Sequence, residues 1–196
     1  KQRATLLLMD TCPVMLFGGA VAGGKSTLML MAALRYVDQP DYRAIIIRRN
    51  RTDLNMAGGL IPKSKEWLEG TDARWNGSDF RWTFPSGATL EFGYLRTEQE
   101  KHRYKSTEFH FIGFDELTQF TETMYTYLRT RLRRSRYTLV PLRTLGATNP
   151  GDIGHEWVKA RFVTAKSNER IFMPARLIDN PHLDAESYKV NLDALD

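Results

Sequence analysis

Apolar and polar positions follow one another in alternating short blocks. Residues 14–17 are an apolar run that stops at Gly18-Gly19, which predicts a buried strand. Over 26–37, Leu28, Met29, Leu30, Met31, Ala32, Ala33 and Leu34 leave almost no polar face, so this helix belongs in the interior. After Pro40, residues 44–47 are rich in isoleucine and predict a second strand. A short helix is expected over 62–67. Phe80, Trp82 and Phe84 share one parity, Pro85-Ser86-Gly87 supplies a turn, and Leu90 and Phe92 follow, which predicts a β-hairpin over 81–94 on the domain edge. Residues 96–106 read as a loop or exposed helix, 109–114 as a third core strand and 124–132 as a helix. A fourth strand over 142–148, a short helix over 157–162 and an extended piece over 171–177 complete the pattern. Asn180-Pro181 turns into a last helix over 185–195, with Asp184 as its N-cap.

Strands alternating with helices predict an α/β fold: a mainly parallel sheet with helices on both faces and a hairpin insertion. Such a sheet binds its ligand at the carboxyl ends of its strands. Gly18 to Ser26, Arg48-Arg49, Asp115-Glu116 and Thr148-Asn149 each follow a predicted strand end.

The chain has 196 residues, 42% hydrophobic and 26% charged, which are globular values and exclude a wholly disordered or collagen-like chain. No apolar run approaches the ~20 residues that cross a bilayer, and no membrane role is expected. The single cysteine, Cys12, forms no internal disulfide, favours a reducing compartment and reads as a small buried residue. No cationic-then-apolar leader is visible, and an opening Lys1 reads as a trimmed or processed start. The net charge is +5. Between Thr123 and Gly151 there is no acidic residue, while Arg129, Arg131, Arg133, Arg134, Arg136 and Arg143 all fall there. That stretch is either a solvated helix face or a surface for phosphates.

The strongest chemical signal is Gly19-Ala20-Val21-Ala22-Gly23-Gly24-Lys25-Ser26, a G-x-x-x-x-G-K-[ST] phosphate loop between a strand and a helix. Its glycines let successive N–H groups turn inward around a triphosphate, and the helix after it presents a positive end to the same charge. Lys25 reaches the β- and γ-phosphates, and the Ser26 hydroxyl completes a Mg²⁺ shell. Thr27 follows as part of the nucleotide site. Asp115-Glu116, at the tip of an apolar strand, supplies a carboxylate for Mg²⁺ and a second one to polarise water. That second acid separates a hydrolase from a kinase. Thr148 and Asn149 carry a hydroxyl and an amide suited to sensing the γ-phosphate, although Asn149-Pro150-Gly151 also suits a plain turn. His102, His110, His155 and His182 lack metal-ligand spacing. Trp67, Trp75, Trp82 and Trp157 read as packing residues rather than base-stacking platforms, with Trp82 on the hairpin as the one candidate exception.

At these residues the chain resembles the large terminase subunit of tailed bacteriophages. The resemblance rests on the phosphate loop, Ile47-Arg48-Arg49, Trp82-Thr83-Phe84-Pro85-Ser86-Gly87-Ala88, Ile112-Gly113-Phe114-Asp115-Glu116-Leu117-Thr118, Thr148-Asn149-Pro150-Gly151, Gly154-His155-Glu156-Trp157-Val158-Lys159 and Asp179-Asn180-Pro181-His182-Leu183. It implies a P-loop ATPase of the additional-strand, conserved-glutamate type, in which the acidic strand is expected beside the phosphate-loop strand. It implies a motor domain over 1–178 and a helical extension over 179–196 toward an absent nuclease domain, so no DNA cleavage is expected. The implied partners are double-stranded DNA, the portal of a procapsid and the small terminase subunit. The implied assembly is a ring, with a monomer in isolation, in the cytoplasm of an infected or lysogenic bacterial host.

The resemblance also assigns residues. Gln2 resembles an adenine-reading glutamine. Val21 and Ala22 stand where many relatives carry a loop arginine, so a trigger in cis is not expected. Arg103 or Lys105, before the acidic strand, is the expected finger acting on a neighbour's nucleotide. Arg48 is expected to anchor the fold through carbonyls, while Arg49, Arg51, Arg131, Arg133 and Arg134 are the candidate DNA-binding residues. Two other classes remain: a helicase-like or repair translocase, and a slow nucleotide-binding switch or assembly module.

Overall fold

The computed structural model describes residues 1–19, 24–134, 136, 138–165 and 167–176. Three expectations lie outside the described residues: loop positions 20–23, the boundary after 178, and the last helix with its Asp184 cap.

Helix α1 (Gln2–Leu8) leads into strand β1 (Val14–Gly19) and helix α2 (Lys25–Ala33). Strand β2 (Arg43–Arg48) is followed by helices α3 (Arg51–Asn55) and α4 (Leu60–Leu68). Strands β3 (Arg74–Asn76), β4 (Arg81–Thr83) and β5 (Thr89–Tyr94) come next, then a 3₁₀ turn over Gln99–Tyr104 and strand β6 (Phe111–Asp115). After a second 3₁₀ turn (Leu117–Gln119) come helix α5 (Glu122–Arg129), strand β7 (Arg143–Thr148), helix α6 (His155–Val158), a π-turn over Lys159–Thr164 and strand β8 (Arg170–Ala175).

The strands form one sheet in the order β3-β4-β5-β2-β6-β7-β1-β8. Every pairing from β5 to β8 is parallel, and β3, β4 and β5 are joined antiparallel. The expected hairpin is therefore present, but β5 is its inner strand, paired with β2, and β3 is the edge. The acidic strand β6 does not neighbour β1, as the resemblance had led us to expect: β7 lies between them, with Gly146 opposite both Phe114 and Leu16. Parallel strands are joined by long crossovers, so β7 can insert there without any mark in its local pattern.

Alternation along the strands separates two cores. Met15, Phe17, Ala44, Ile46, Phe111, Leu145 and Ala147 pack with Leu28 and Met29 of α2 and Leu60 and Ile61 of α4. Val14, Leu16, Ile45, Ile47, Ile112 and Phe114 face the other way, toward Met124, Tyr125 and Leu128 of α5 and Val158 and Phe162. Both cores bury strand residues, which explains the continuous apolar runs. Trp82 is a packing residue: it is buried, and its indole N–H donates to the buried Ser64 Oγ at 3.0 Å. Helix α5 starts before 124 because the Thr121 hydroxyl accepts from the Met124 N–H at 3.2 Å. It stops before 132 because Phe109 and the chain after the helix exchange bonds, Phe109 N–H to Arg131 O at 3.0 Å and Arg133 N–H to Phe109 O at 3.1 Å.

Candidate nucleotide site

The parallel pairing brings the carboxyl ends of β1, β2, β6 and β7 to one end of the sheet, and the site is built there. Gly18, next to the last residue of β1, lies so close to β7 that a Cβ on it would be 2.3 Å from the Thr148 carbonyl oxygen. Gly24 is left-handed, with φ 71° and ψ 27°, and caps α2 so that Lys25 is its first helical residue. Gln2 Nε2 donates to the Gly24 carbonyl at 2.8 Å, placing the first turn of α1 against the end of the phosphate loop.

Lys25 is 8% exposed, and its Nζ donates to Asn149 Oδ1 at 2.6 Å. Burial lowers its pKa, against the opposing pull of Glu116 and then Asp115. Asp115, the last residue of β6, is 1% exposed. Burial pushes its carboxyl up to about 6; Arg48 opposes this, Glu116 adds to it and Lys25 opposes it. Arg48 Nε lies 3.5 Å from Asp115 Oδ2, yet neither atom has a hydrogen-bond partner. A buried carboxylate oxygen without a donor is the kind of atom a hard cation takes as a ligand, so Asp115 by itself suits a cation such as Mg²⁺.

Glu116 turns out of the strand in a left-handed conformation, with φ 56° and ψ 60°. For a residue with a Cβ this stores strain of about 1–3 kcal/mol, which the surroundings must hold. The next turn supplies the hold. The Thr118 N–H donates to Thr148 Oγ1 at 3.2 Å, and the two hydroxyls lie 2.7 Å apart. The Asn149 carbonyl accepts from Thr148 Oγ1 at 2.9 Å and faces Thr118 Oγ1 at 3.2 Å. The loop after β7 is also a true turn, with Gly151 N–H donating to His155 Nδ1 at 3.1 Å. Thus Asn149 bonds Lys25 through its side chain, while Thr148 is buried in a network that ends two residues from Glu116.

Three residues at this end do more than the sequence reading gives them. Thr118 was visible only as part of the Asp115-to-Thr118 segment. Arg48 does donate to a carbonyl, Asp53 O at 3.5 Å, but it also faces Asp115. Lys63 of α4 donates to Thr27 Oγ1 at 2.9 Å, a pairing with no local signal.

The finger candidates lie elsewhere. Arg103 is exposed, stacks over the Tyr94 ring at 4.4 Å and pairs with Glu100 at 3.6 Å. Tyr94 ends β5, and β2, β6 and β7 separate that strand from β1, roughly 19 Å at ~4.8 Å per strand. The side chain of Lys105 is exposed, and its carbonyl accepts from Arg131 Nη1 at 2.5 Å. The arginines expected to bind DNA each have their own contacts. Arg51 stacks over Phe80 at 4.6 Å, and Arg49 Nη1 lies 3.5 Å from Met124 Sδ. Arg133 faces Glu108 at 3.8 Å, and Arg134 reaches Val140 O at 3.4 Å.

A parallel sheet with a phosphate loop at the end of one strand and paired acids at the end of another defines a P-loop NTPase fold. The model of the N-terminal part of the T4-like-virus type terminase large subunit matches residues 16–174, and the chain belongs to that family. Among solved structures, the large terminase of a thermophilic bacteriophage superposes with a TM-score of 0.77 at 14% identity, covering 97% of this chain and 49% of that one. The large terminase of bacteriophage HK97 gives 0.66 at 11% identity, covering 93% of this chain and 40% of that one. The N-terminal domain of the DNA packaging ATPase from bacteriophage phi29 gives 0.61 at 14% identity, covering 92% and 96%. This chain therefore spans about half the length of the thermophilic phage protein. A search by sequence among curated proteins finds no match.

Proposed function

We propose that the chain is the ATP-hydrolysing motor domain of a large terminase, driving double-stranded viral DNA into a procapsid. The observation that carries the reading is the convergence at one sheet end of Lys25, Asp115, Glu116 and Asn149, with Lys25 Nζ 2.6 Å from Asn149 Oδ1. The thermophilic phage terminase has been solved with ADP and with ATP-γ-S, which supports the same nucleotide class here.

In this reading the loop over 19–24 and the N-terminus of α2 bind the phosphates, and Gln2 lies on the side where a base would be read. Lys25 exchanges Asn149 for the β- and γ-phosphates, which frees Asn149 to face the γ-phosphate. Ser26 and Asp115 would hold Mg²⁺, whose charge, when bound, offsets that of the β- and γ-phosphates. Glu116 accepts a proton from the attacking water. Movement of Asn149 passes through its carbonyl and Thr148 to Thr118, so the nucleotide state is transmitted to the turn that holds Glu116.

Arg103 or Lys105 would complete the site of a neighbouring subunit; Arg103, stacked over Tyr94 at the end of β5, lies too far from the chain's own loop. Hence a ring is the active form, and the isolated chain is a slow, monomeric ATPase. Duplex DNA, the portal and the small subunit are its partners, in the bacterial host's cytoplasm. Among the described residues no helix is long and apolar enough to cross a membrane. The family match extends through the hairpin and α6, which weighs against the helicase-like reading. No nuclease activity is assigned to these residues.

The test is phosphate release from Mg·ATP as a function of protein concentration. The rate per subunit should rise as the chain is concentrated, because a finger in trans supplies about 10³–10⁵ in rate. Specific activity that is flat with concentration and indifferent to loss of Arg103 and Lys105 would refute the finger. A chain that binds no ATP would refute the motor.

A further inference from the structure

We infer that Lys63 of α4 is a positioning residue for the nucleotide's phosphate chain, acting through the Thr27 hydroxyl. The inference rests on the nucleotide reading of the site and adds a group that the phosphate-loop motif does not contain. Thr27 is the third residue of α2, within the first turn, where the backbone N–H groups have no partner inside the helix. Lys63 Nζ donates to Thr27 Oγ1 at 2.9 Å, which occupies an oxygen lone pair and leaves the hydroxyl proton to donate elsewhere. An ammonium on the acceptor side makes that O–H a stronger donor.

The charge arrangement points the same way. Lys63 is half-buried and, among the described residues, forms no ion pair with a carboxylate. A cation beside a helix N-terminus is unfavourable, because that end already carries positive potential, and an anion there reverses the sign. A phosphate chain on the loop meets Lys25, the helix end and the Lys63–Thr27 pair together.

The fold holds Lys63 in place. The neighbouring Ser64 is fully buried; its hydroxyl donates to Ile61 O at 2.8 Å and accepts from Trp82 Nε1 at 3.0 Å. Trp82 belongs to the hairpin motif, which the hydrolysis chemistry alone left without a role. The hairpin fixes α4, α4 presents Lys63, and Lys63 orients Thr27.

Calorimetric binding of ADP to the whole chain tests this, with wild type, Lys63→Met, Lys63→Arg, Thr27→Val and the Lys63→Met/Thr27→Val pair. Lys63→Met should weaken ADP about tenfold or more, the usual loss for one charge-assisted hydrogen bond. Lys63→Arg should recover most of it. The double variant should bind no more weakly than the worse single one, since both remove the same donor. In steady-state hydrolysis KM for ATP should rise more than kcat falls. ADP affinity within twofold of wild type in a folded Lys63→Met chain, or losses that simply add, would overturn the role of Lys63 while leaving the nucleotide site intact. A wild-type chain that binds no ADP would instead overturn the site reading and this inference with it.

Discussion

Replacing Thr148 by valine removes one oxygen from the network that ties the coupling loop to the turn after Glu116. The side chains are nearly equal in volume, so no cavity opens. The cost falls on hydrogen bonds. The buried Thr118 N–H loses its acceptor at 3.2 Å, and Thr118 Oγ1 loses its partner at 2.7 Å. Thr118 Oγ1 keeps the Asn149 carbonyl at 3.2 Å, so one donor is orphaned rather than two. An orphaned buried donor costs about 1–3 kcal/mol. At the middle of that range, about 2 kcal/mol, the midpoint of thermal unfolding should fall by about 4–8 °C for a chain of this size. The same substitution loosens the turn that holds Glu116 in its left-handed conformation, so hydrolysis should fall while ATP binding holds. Serine at 148 keeps the oxygen and should preserve turnover. Urea and thermal melts, run beside ATP affinity and phosphate release, read both effects. If Thr148→Val melts and turns over like the wild type, the network neither stabilises the site nor positions the base.

Other expectations follow from the same geometry. His110 is buried, its Nδ1 accepts from the Arg43 N–H at 3.2 Å, and burial followed by Arg43 lowers its pKa. Below its ordinary value of 6.5 the unfolded chain takes up a proton that the folded one resists, so stability should fall as pH drops from 7.5 to 5.5. Asp115, raised to about 6, works in the opposite sense, so the comparison is with His110→Gln, whose urea midpoint should lose less over that interval; parallel curves would show that His110 is not held neutral. Neutralising Arg131, Arg133 and Arg134 together should weaken duplex DNA binding and flatten its log–log salt dependence by ~0.9 for each phosphate that is no longer neutralised. An unchanged slope would move the DNA track away from this cluster, toward Arg49 and Arg51.

What could be read without coordinates was what is local. The phosphate loop, the acidic tip of β6 and the hairpin turn each carry their signal within a few residues, and the strand and helix that flank the loop, the acidic tip and the hairpin stand where their patterns put them. Helix α1 carries no local start signal, since Lys1 offers no side-chain cap. The place of β7 was missed because strand order is decided by crossovers and by packing on both sheet faces. In the site, Lys25, Asp115 and Glu116 were legible from motif spacing. Thr118 and Lys63 were not, since their partners, Thr148 and Thr27, lie far off in sequence and meet them only through the sheet and the packing of α4. Arg48 was half legible: its carbonyl bond to Asp53 is local, while its approach to Asp115 depends on β2 pairing with β6.

The central claim is that Glu116 activates water at a Mg·ATP site built around Lys25 and Asp115. Nucleotide affinity and single-turnover hydrolysis of Glu116→Gln, beside Lys25→Ala, test it most directly. Glu116→Gln should bind Mg·ATP as the wild type does and hydrolyse it ~10²–10⁴-fold more slowly, the usual contribution of a positioned general base. Lys25→Ala should lose hydrolysis together with affinity. Hydrolysis at the wild-type rate by Glu116→Gln would contradict the account.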